Sequence, residues 1–241
     1  MTWLEGKIIE NRHWTPALFS LRVEGALLSF EAGQFVRIAL DIEGERVARP
    51  FSMVNPPHDP VLEFYGIVVP EGPLSPRLAR LAPGDTLYVA SNPAGFLVLS
   101  EVPDAQTLWL LCTGTGVAPF LSILRTETAW RRYRNVVLVH AVRHAAELVY
   151  RETLENLPDL RYLRMVSRET LPGALAGRIP AALRDGRLEA AAGLELAADS
   201  SQVMLCGNPD MLKDAAAALA ERGLRKHRRR APGHITVESF W

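Results

Sequence analysis

Thr107-Leu-Trp-Leu-Leu-Cys-Thr-Gly-Thr-Gly-Val-Ala-Pro-Phe120 is the stretch at which the grammar of this chain changes. Thr107 to Cys112 is a short apolar run, as expected of a strand covered on both faces in a parallel sheet. Gly114 and Gly116 follow, and a helix-like segment runs from Pro119 to Ala129. Glycines at such a turn let the backbone approach a ligand closely, and the N-terminus of the following helix favours phosphate. The third glycine of G-x-G-x-x-G is missing, because Pro119 occupies its place. Taken alone, the motif is therefore weak, and an ordinary strand-to-helix turn remains a competing reading.

Downstream of this stretch, Val136–His140, Tyr162–Val166 and Val203–Cys206 read as further strands. They alternate with helix-like segments at Ala145–Asn156 and Met211–Arg222. That alternation predicts a Rossmann-like parallel α/β sheet. Upstream, the β-prone segments Lys7–Ile9, Leu18–Val23, Phe35–Leu40, Leu62–Val69 and Thr86–Val89 are separated by turn signals such as Glu24-Gly25, Asn55-Pro56-Pro57 and Pro83-Gly84-Asp85. This pattern predicts an antiparallel barrel or sandwich. The boundary falls near residues 100–104, giving a β domain over 1–101 and an α/β domain over 102–241.

A chain of 241 residues has room for two modest domains, and 48% hydrophobic content supports a substantial core. Lys plus Arg and Asp plus Glu number 27 each, so net charge gives no case for binding nucleic acid. Local cationic clusters occur at Arg131-Arg132-Tyr133-Arg134 and Lys226-His227-Arg228-Arg229-Arg230. Each is either a solvated face or a patch for an acidic partner. Cys112 and Cys206 form no C-x-x-C pair, which argues against a cysteine-ligated iron–sulfur cluster, a zinc ribbon or a disulfide-built fold. There is no G-x-S-x-G or H-E-x-x-H. His140 and His144 stand four apart, but His140 closes a strand, and no metal site is expected. With no secretory leader pattern and no apolar run of about 20 residues, no membrane insertion is expected, and the cytoplasm is the expected location.

Four constellations could carry chemistry. Arg49-Pro50-Phe51-Ser52 joins a permanent cation, an aromatic plane and a hydroxyl, suited to a pyrophosphate, a flat ring and a polar ring edge. An ordinary edge strand containing Pro is the alternative. Arg143 and Ser167-Arg168 lie just past predicted strand ends, with Arg178 as a further cation. Ligands of open α/β sheets bind there, so the arginines point to a phosphate-rich ligand or to solvent. Cys206-Gly207-Asn208-Pro209-Asp210 sits at another strand end, where Cys206 either meets a ligand or is a small buried residue. The chain closes on Glu238, Phe240 and Trp241, an aromatic end that can pack on core or on a planar cofactor.

Together these motifs resemble the ferredoxin–NADP reductase family, in its bacterial ferredoxin/flavodoxin reductase form of enterobacterial type. The likeness runs along essentially the whole chain and rests on Arg49–Ser52, Thr113–Phe120, Cys206–Pro209 and the terminal Gly233–Trp241. It implies a FAD-binding antiparallel Greek-key β-barrel followed by an NADP-binding α/β domain. By matching position, Arg49 would hold the FAD pyrophosphate, Pro50 would belong to the same FAD-binding set, Phe51 would pack on one flavin face and Ser52 would lie near N5. Tyr65 and Pro73-Leu74-Ser75 would line the ribityl and phosphate region, and Thr115 would add a further FAD contact. Phe240 would cover the other flavin face, with Trp241 on the adenine. NADP would be held by Val142, Arg143, Ser167, Arg168, Arg178, Asn208, Pro209, Asp210 and Asp214, with Ser167, Arg168 and Arg178 on the 2′-phosphate. The implied reaction moves electrons between NADP(H) and ferredoxin or flavodoxin through FAD. Ser52, Glu238 and a displaceable Phe240 are its candidate catalytic groups, and a monomer is its expected form. This chain carries Phe51 where the family usually has Tyr, and Phe240 where it often has Tyr. Stacking survives both changes; the phenol hydrogen bonds do not. Two other readings share the fold or the cofactor: a reductase subunit serving an oxygenase, and a flavin redox sensor without turnover.

Overall fold

A computed structural model describes residues 2–239, so Phe240 and Trp241 lie outside the described residues. The chain divides into two compact units. One runs to Val98 and includes Ala118–Arg125; the other takes Leu99–Val117 and the described residues from Thr126 onward.

The first unit is an antiparallel sheet of β1 (Trp3–His13), β2 (Leu18–Glu24), β3 (Phe35–Ile42), β4 (Glu45–Ser52), β5 (Leu62–Ile67) and β6 (Thr86–Ala90), in the order β4-β3-β6-β1-β2-β5. Met53 and Phe64 form a bridge between the two edges, which closes the sheet as a Greek-key barrel. The closure is a single bridge, so most of β4 keeps a free edge. Inward residues such as Phe19, Leu21, Val36, Ile38, Phe64, Leu87 and Val89 are almost wholly buried and form its core. A short helix, α1 (Ser75–Leu78), sits between β5 and β6. The helix α2 (Ala118–Leu124) belongs to this unit. Ser122 Oγ donates to the Asn55 carbonyl at 2.7 Å, and Arg125, just past the helix end, donates to the Val54 carbonyl at 3.3 Å and pairs with Glu63 at 3.1 Å.

β4 is absent from the segments expected as strands. Its sequence, Glu45-Arg-Val-Ala-Arg-Pro-Phe-Ser52, is charged and contains Pro, which reads against a central strand. It lies at the sheet edge, where Arg49 and Pro50 are exposed and Pro50 removes only a solvent-side donor.

The second unit holds a parallel sheet of β7 (Thr107–Thr113), β8 (Asn135–Val142), β9 (Leu160–Val166), β10 (Leu175–Ala176), β11 (Ser201–Gly207) and β12 (Ile235–Ser239), ordered β10-β9-β8-β7-β11-β12. Strand order runs outward in one direction from β7 through β8 to β10 and in the other through β11 to β12. β7 and β11 therefore flank the switch point, where open α/β sheets bind ligands at the strands' carboxyl ends. Helices α3 (Glu127–Arg132), α4 (Arg151–Glu155), α5 (Ile179–Arg184), α6 (Arg187–Ala192) and α7 (Pro209–Ala220) complete this unit. Trp109, Leu111, Val137, Val139, Val203 and Leu205 pack on one sheet face with α5, α6 and α7.

Two expected helices are interrupted. The segment from Pro119 breaks at Thr126, which is extended, and resumes as α3. The segment from Ala145 is one 3₁₀ turn, Ala145–Glu147, then α4 after Tyr150 at φ +56°. Leu148, Val149 and Tyr150 are all buried, and three consecutive inward residues do not fit one helical face. The short elements β10, α5 and α6 were not anticipated, and neither was the strand β12. No helix among the described residues is long and apolar enough to cross a membrane.

Candidate functional site

In the barrel unit, β4 delivers the motif Arg49-Pro50-Phe51-Ser52 at the sheet edge. The exposed Arg49 guanidinium is steadied by the Ala48 carbonyl at 2.8 Å and has no ion-pair partner among the described residues. Phe51 is half-buried and meets Phe64 edge-on, with centroids 6.4 Å apart at 80°. A Cβ on Gly66 would come within 2.8 Å of the Phe51 ring, so glycine at that position of β5 gives the ring its seat. Ser52 is buried and its Oγ has no hydrogen-bond partner among the described residues. Such a group in a folded interior calls for a ligand or water to satisfy it. Tyr65 is buried on β5. Leu74 packs in the barrel core, so outward it offers backbone only. Ser75 Oγ already accepts from the Val69 N–H at 2.8 Å, and the Pro73 carbonyl accepts from Arg77 at 2.7 Å. The loop is thus internally braced. An unpaired cation, a seated ring and an orphaned hydroxyl in four consecutive residues fit a dinucleotide carrying a flat ring.

In the sheet unit, the other expected residues gather at the carboxyl ends of the strands. β7 ends at Thr113 and passes into a 3₁₀ turn, Gly114–Val117, in which Thr115 is buried. Gly114 has φ +52°, and nothing lies within 4 Å of the place a Cβ would take. Gly116 is tighter, since a Cβ would stand 2.6 Å from the Cys206 carbonyl oxygen. On the neighbouring strand, Gly207 has φ +129° and passes against the Thr113 backbone. Thr113 Oγ1 accepts the Asn208 N–H at 2.9 Å, tying the two strand ends together. Asn208 caps α7 through Oδ1, which accepts from Asp210 N–H at 3.0 Å and Met211 N–H at 3.2 Å. Its amide Nδ2 is left as a donor. Pro209 occupies the first helical position, where its missing N–H costs nothing. Asp210 and Asp214 are exposed one turn apart on the first turns of α7.

The ends of β8 and β9 are zipped. Ser167 N–H donates to the Val142 carbonyl at 3.1 Å, and Arg168 N–H to the Arg143 carbonyl at 3.0 Å. Ser167 Oγ also donates to the Val142 carbonyl, at 3.2 Å. Gly177 N–H reaches the Val166 carbonyl at 3.0 Å and brings Arg178 to the same end of the sheet. Arg143, Arg168 and Arg178 are all exposed, and none has an ion-pair partner among the described residues. Other arginines nearby are paired: Arg164 with Glu155 at 3.3 Å and Arg187 with Asp185 at 2.9 Å. Glu238 lies on β12 opposite Cys206, and Ser239 opposite Gly207, which places the expected proton-handling carboxylate at the same strand level. Cys206 is fully buried, and burial pushes its thiol pKa well up, as the small-core reading expects.

Residues 4–97 match the oxidoreductase FAD-binding domain family, and residues 110–217 match the oxidoreductase NAD-binding domain family. A flavodoxin/ferredoxin–NADP reductase of Escherichia coli strain K12 is 50% identical over 245 residues, covering 99% of each chain. The chain belongs to the flavodoxin/ferredoxin–NADP reductase family. A relative in this family from Shigella flexneri is 51% identical over 99% of each chain. A ferredoxin NADP+ reductase from Neisseria gonorrhoeae, solved with bound FAD and NADP, superposes with a TM-score of 0.97 at 34% identity over the full length of both chains. The two-part fold expected from this family is the one observed.

Several structural residues of this reductase escape a motif-based reading. Glu147 Oε2 accepts from Arg143 N–H at 2.9 Å and His144 N–H at 3.3 Å, and Glu169 accepts from Ala145 N–H. Thr113 acts as the acceptor described above. His140, weighed from sequence only as a metal ligand, is fully buried and bonds the Gly114 carbonyl at 3.2 Å and the Tyr162 hydroxyl at 3.4 Å. The signal was present: a histidine closing a run as apolar as Val136–His140 has to find buried partners.

Proposed function

We propose that this protein is a FAD-dependent reductase that exchanges electrons between NADP(H) and a small electron carrier, ferredoxin or flavodoxin. The observation that carries the choice of nucleotide is the trio Arg143, Arg168 and Arg178, exposed and without ion pairs at the carboxyl ends of adjoining strands. A site for an unphosphorylated ribose needs a carboxylate there instead. Ser167, Arg168 and Arg178 bind the 2′-phosphate, and Arg143 adds a further cation to the NADP site. The Asn208 amide, Asp210 and Asp214 orient sugar and amide groups, and Val142 and Pro209 supply apolar contact.

In the barrel, Arg49 holds the FAD pyrophosphate and Pro50 keeps the edge strand from pairing further. Phe51 stacks on the flavin, Ser52 Oγ bonds its polar edge, and Tyr65 with Pro73–Ser75 lines the chain that follows. Bound FAD supplies the conversion between two-electron exchange with NADP(H) and one-electron exchange with the carrier. The protein contributes orientation and exclusion of water. Glu238 holds a proton close to the level of the Cys206–Gly207 strand end. Phe240 and Trp241 remain, by family resemblance, a displaceable aromatic cover.

The carrier partners are acidic, and Lys226, Arg228 and Arg230 offer exposed cations for docking; Arg229 is held by Glu101 at 2.8 Å. Carrier reduction then slows as salt rises. A cytoplasmic monomer is part of the same proposal, the monomer checked by sedimentation of the purified enzyme and the location by cell fractionation. The deciding experiment is stopped-flow absorbance of the flavin-loaded protein mixed with NADPH or NADH. Rapid bleaching by NADPH and slow bleaching by NADH is expected. Equal rates would remove the assigned role of the arginine trio, and no bleaching by either would remove the enzyme reading.

A further inference from the structure

We infer that His140 is a positioning residue for nucleotide binding: through Gly114 it aims a backbone N–H of the β7 turn at the bound dinucleotide. The inference rests on the proposed nucleotide site and deepens it. His140 lies on β8, in register with Cys112 of β7 and Arg164 of β9, and is completely buried. Its Nε2 stands 3.2 Å from the Gly114 carbonyl oxygen. A carbonyl only accepts, so Nε2 carries the proton. Nδ1, 3.4 Å from the Tyr162 hydroxyl, is then the acceptor. Burial lowers the pKa of the ring from 6.5 to about 4, so it is neutral at physiological pH and this tautomer is the one retained.

The consequence follows from peptide planarity. The C=O of Gly114 and the N–H of Thr115 belong to one trans peptide and point in opposite directions. When the carbonyl is drawn toward His140, the Thr115 N–H is turned away from the imidazole. That N–H lies in the first turn of the 3₁₀ segment, where backbone donors have no helical partner. Gly114 holds φ +52°, and the space where its Cβ would stand is open. Without a Cβ, Gly114 leaves the tilt of this peptide only weakly restricted, so the tilt follows what the carbonyl meets. The buried imidazole meets that carbonyl and fixes the tilt. Anion sites made of backbone N–H groups depend on such orientation.

The test is binding to the purified holoenzyme by isothermal titration with NADP+ and, separately, with 2′,5′-ADP, which carries the 2′-phosphate but lacks the nicotinamide end. In His140→Phe the Kd for NADP+ rises about tenfold, the effect of losing one buried hydrogen bond. The Kd for 2′,5′-ADP stays within about twofold, since the arginine trio is untouched. His140→Gln keeps an N–H donor and recovers most of the loss. Should His140→Phe fold poorly, nitrogen-15 NMR of wild-type imidazole reads the tautomer directly, and Tyr162→Phe gives a smaller rise in the NADP+ Kd alone. A proton on Nδ1, an unchanged NADP+ affinity in His140→Phe, or equal weakening of both ligands would each overturn the inference. Failure of the wild-type enzyme to bind NADP+ would instead count against the underlying assignment.

Discussion

Replacing Gly207 by Ala tests the arrangement of the switch point most directly. Gly207 adopts φ +129°, and a Cβ there would stand 2.9 Å from the Thr113 carbonyl oxygen and 3.0 Å from its nitrogen. Both are backbone atoms of a central strand and neither can swing away. The conformational part costs about 1–2 kcal/mol for an L residue. Forcing extra volume into a packed site costs about 1–3 kcal/mol more. The expected total is about 2–5 kcal/mol, which for a chain of this size lowers Tm by about 5–15 °C. The control is Gly84→Ala, at φ +96° with nothing within 4 Å of its Cβ position, which keeps a positive φ beyond the ordinary left-handed well and drops the steric part. Calorimetry or far-ultraviolet dichroism on both variants gives the difference. Because Thr113 and Asn208 are joined across Gly207, NADP+ affinity should fall in the first variant and hold in the second. Equal Tm losses in the two would refute the claim that close backbone approach, rather than backbone sign alone, demands glycine at position 207.

Three further outcomes are expected. Arg168→Ala removes charge-assisted bonds to the 2′-phosphate at an exposed site, so KM for NADPH rises about tenfold while KM for NADH barely moves; parallel changes would detach Arg168 from the phosphate. Asn208→Ala loses the α7 cap, costing about 1 kcal/mol, whereas Asn208→Asp keeps an acceptor oxygen and loses the amide donor. Stability should therefore drop only in the first variant and NADPH binding in both, as chemical denaturation and titration would show. His140 gives a pH signature of definite sign. Its folded pKa lies below its unfolded value, so the unfolded chain binds more protons between about 6.5 and 4, and stability falls as pH falls through that window. The site accounts for about 2 kcal/mol lost between pH 7 and 5, and His140→Gln should flatten the curve by that amount.

What the sequence discloses follows its local physics. The apolar runs at Thr107–Cys112, Val136–His140 and Val203–Cys206 are legible because a strand covered on both faces has no polar alternation to confuse. The glycines and arginines that follow them are legible because strand ends are where such residues have a use. β4 is not, since an edge strand tolerates charge and Pro, and its identity as a strand depends on β3 supplying the partner. The break after Leu124 is illegible for a related reason. α2 is fastened by Ser122 to Asn55, some 67 residues away in sequence, and no local propensity records that contact. The partners of Glu169 and His140 are likewise invisible locally, because each acts on a backbone group more than 20 residues away in sequence, whereas Glu147 acts within its own turn.

The same carboxylates explain how three arginines stay available. Glu169 follows Arg168 directly in sequence, and Glu147 is four residues beyond Arg143, so a simple charge count would have each acid neutralise its neighbour. Neither does. Glu147 takes the N–H groups of Arg143 and His144, and Glu169 takes that of Ala145 across 24 residues of chain. The acids brace the loops and leave the guanidinium groups facing outward. This produces a prediction whose sign separates the two views. Coulomb attraction alone says that removing a negative charge beside a phosphate site strengthens binding. If Glu169 is a brace, Glu169→Ala releases the loop after β8 from the loop after β9, and NADPH affinity falls about three- to tenfold, the range for losing one charge-assisted hydrogen bond at an exposed position. Glu169→Gln keeps an acceptor oxygen for Ala145 N–H while removing the charge, so its affinity should equal or exceed that of the parent enzyme. Titration of the two variants with NADP+ at low and moderate salt distinguishes the readings: Ala weaker and Gln as tight or tighter supports the brace, whereas tighter binding in both would leave charge alone as the role of Glu169.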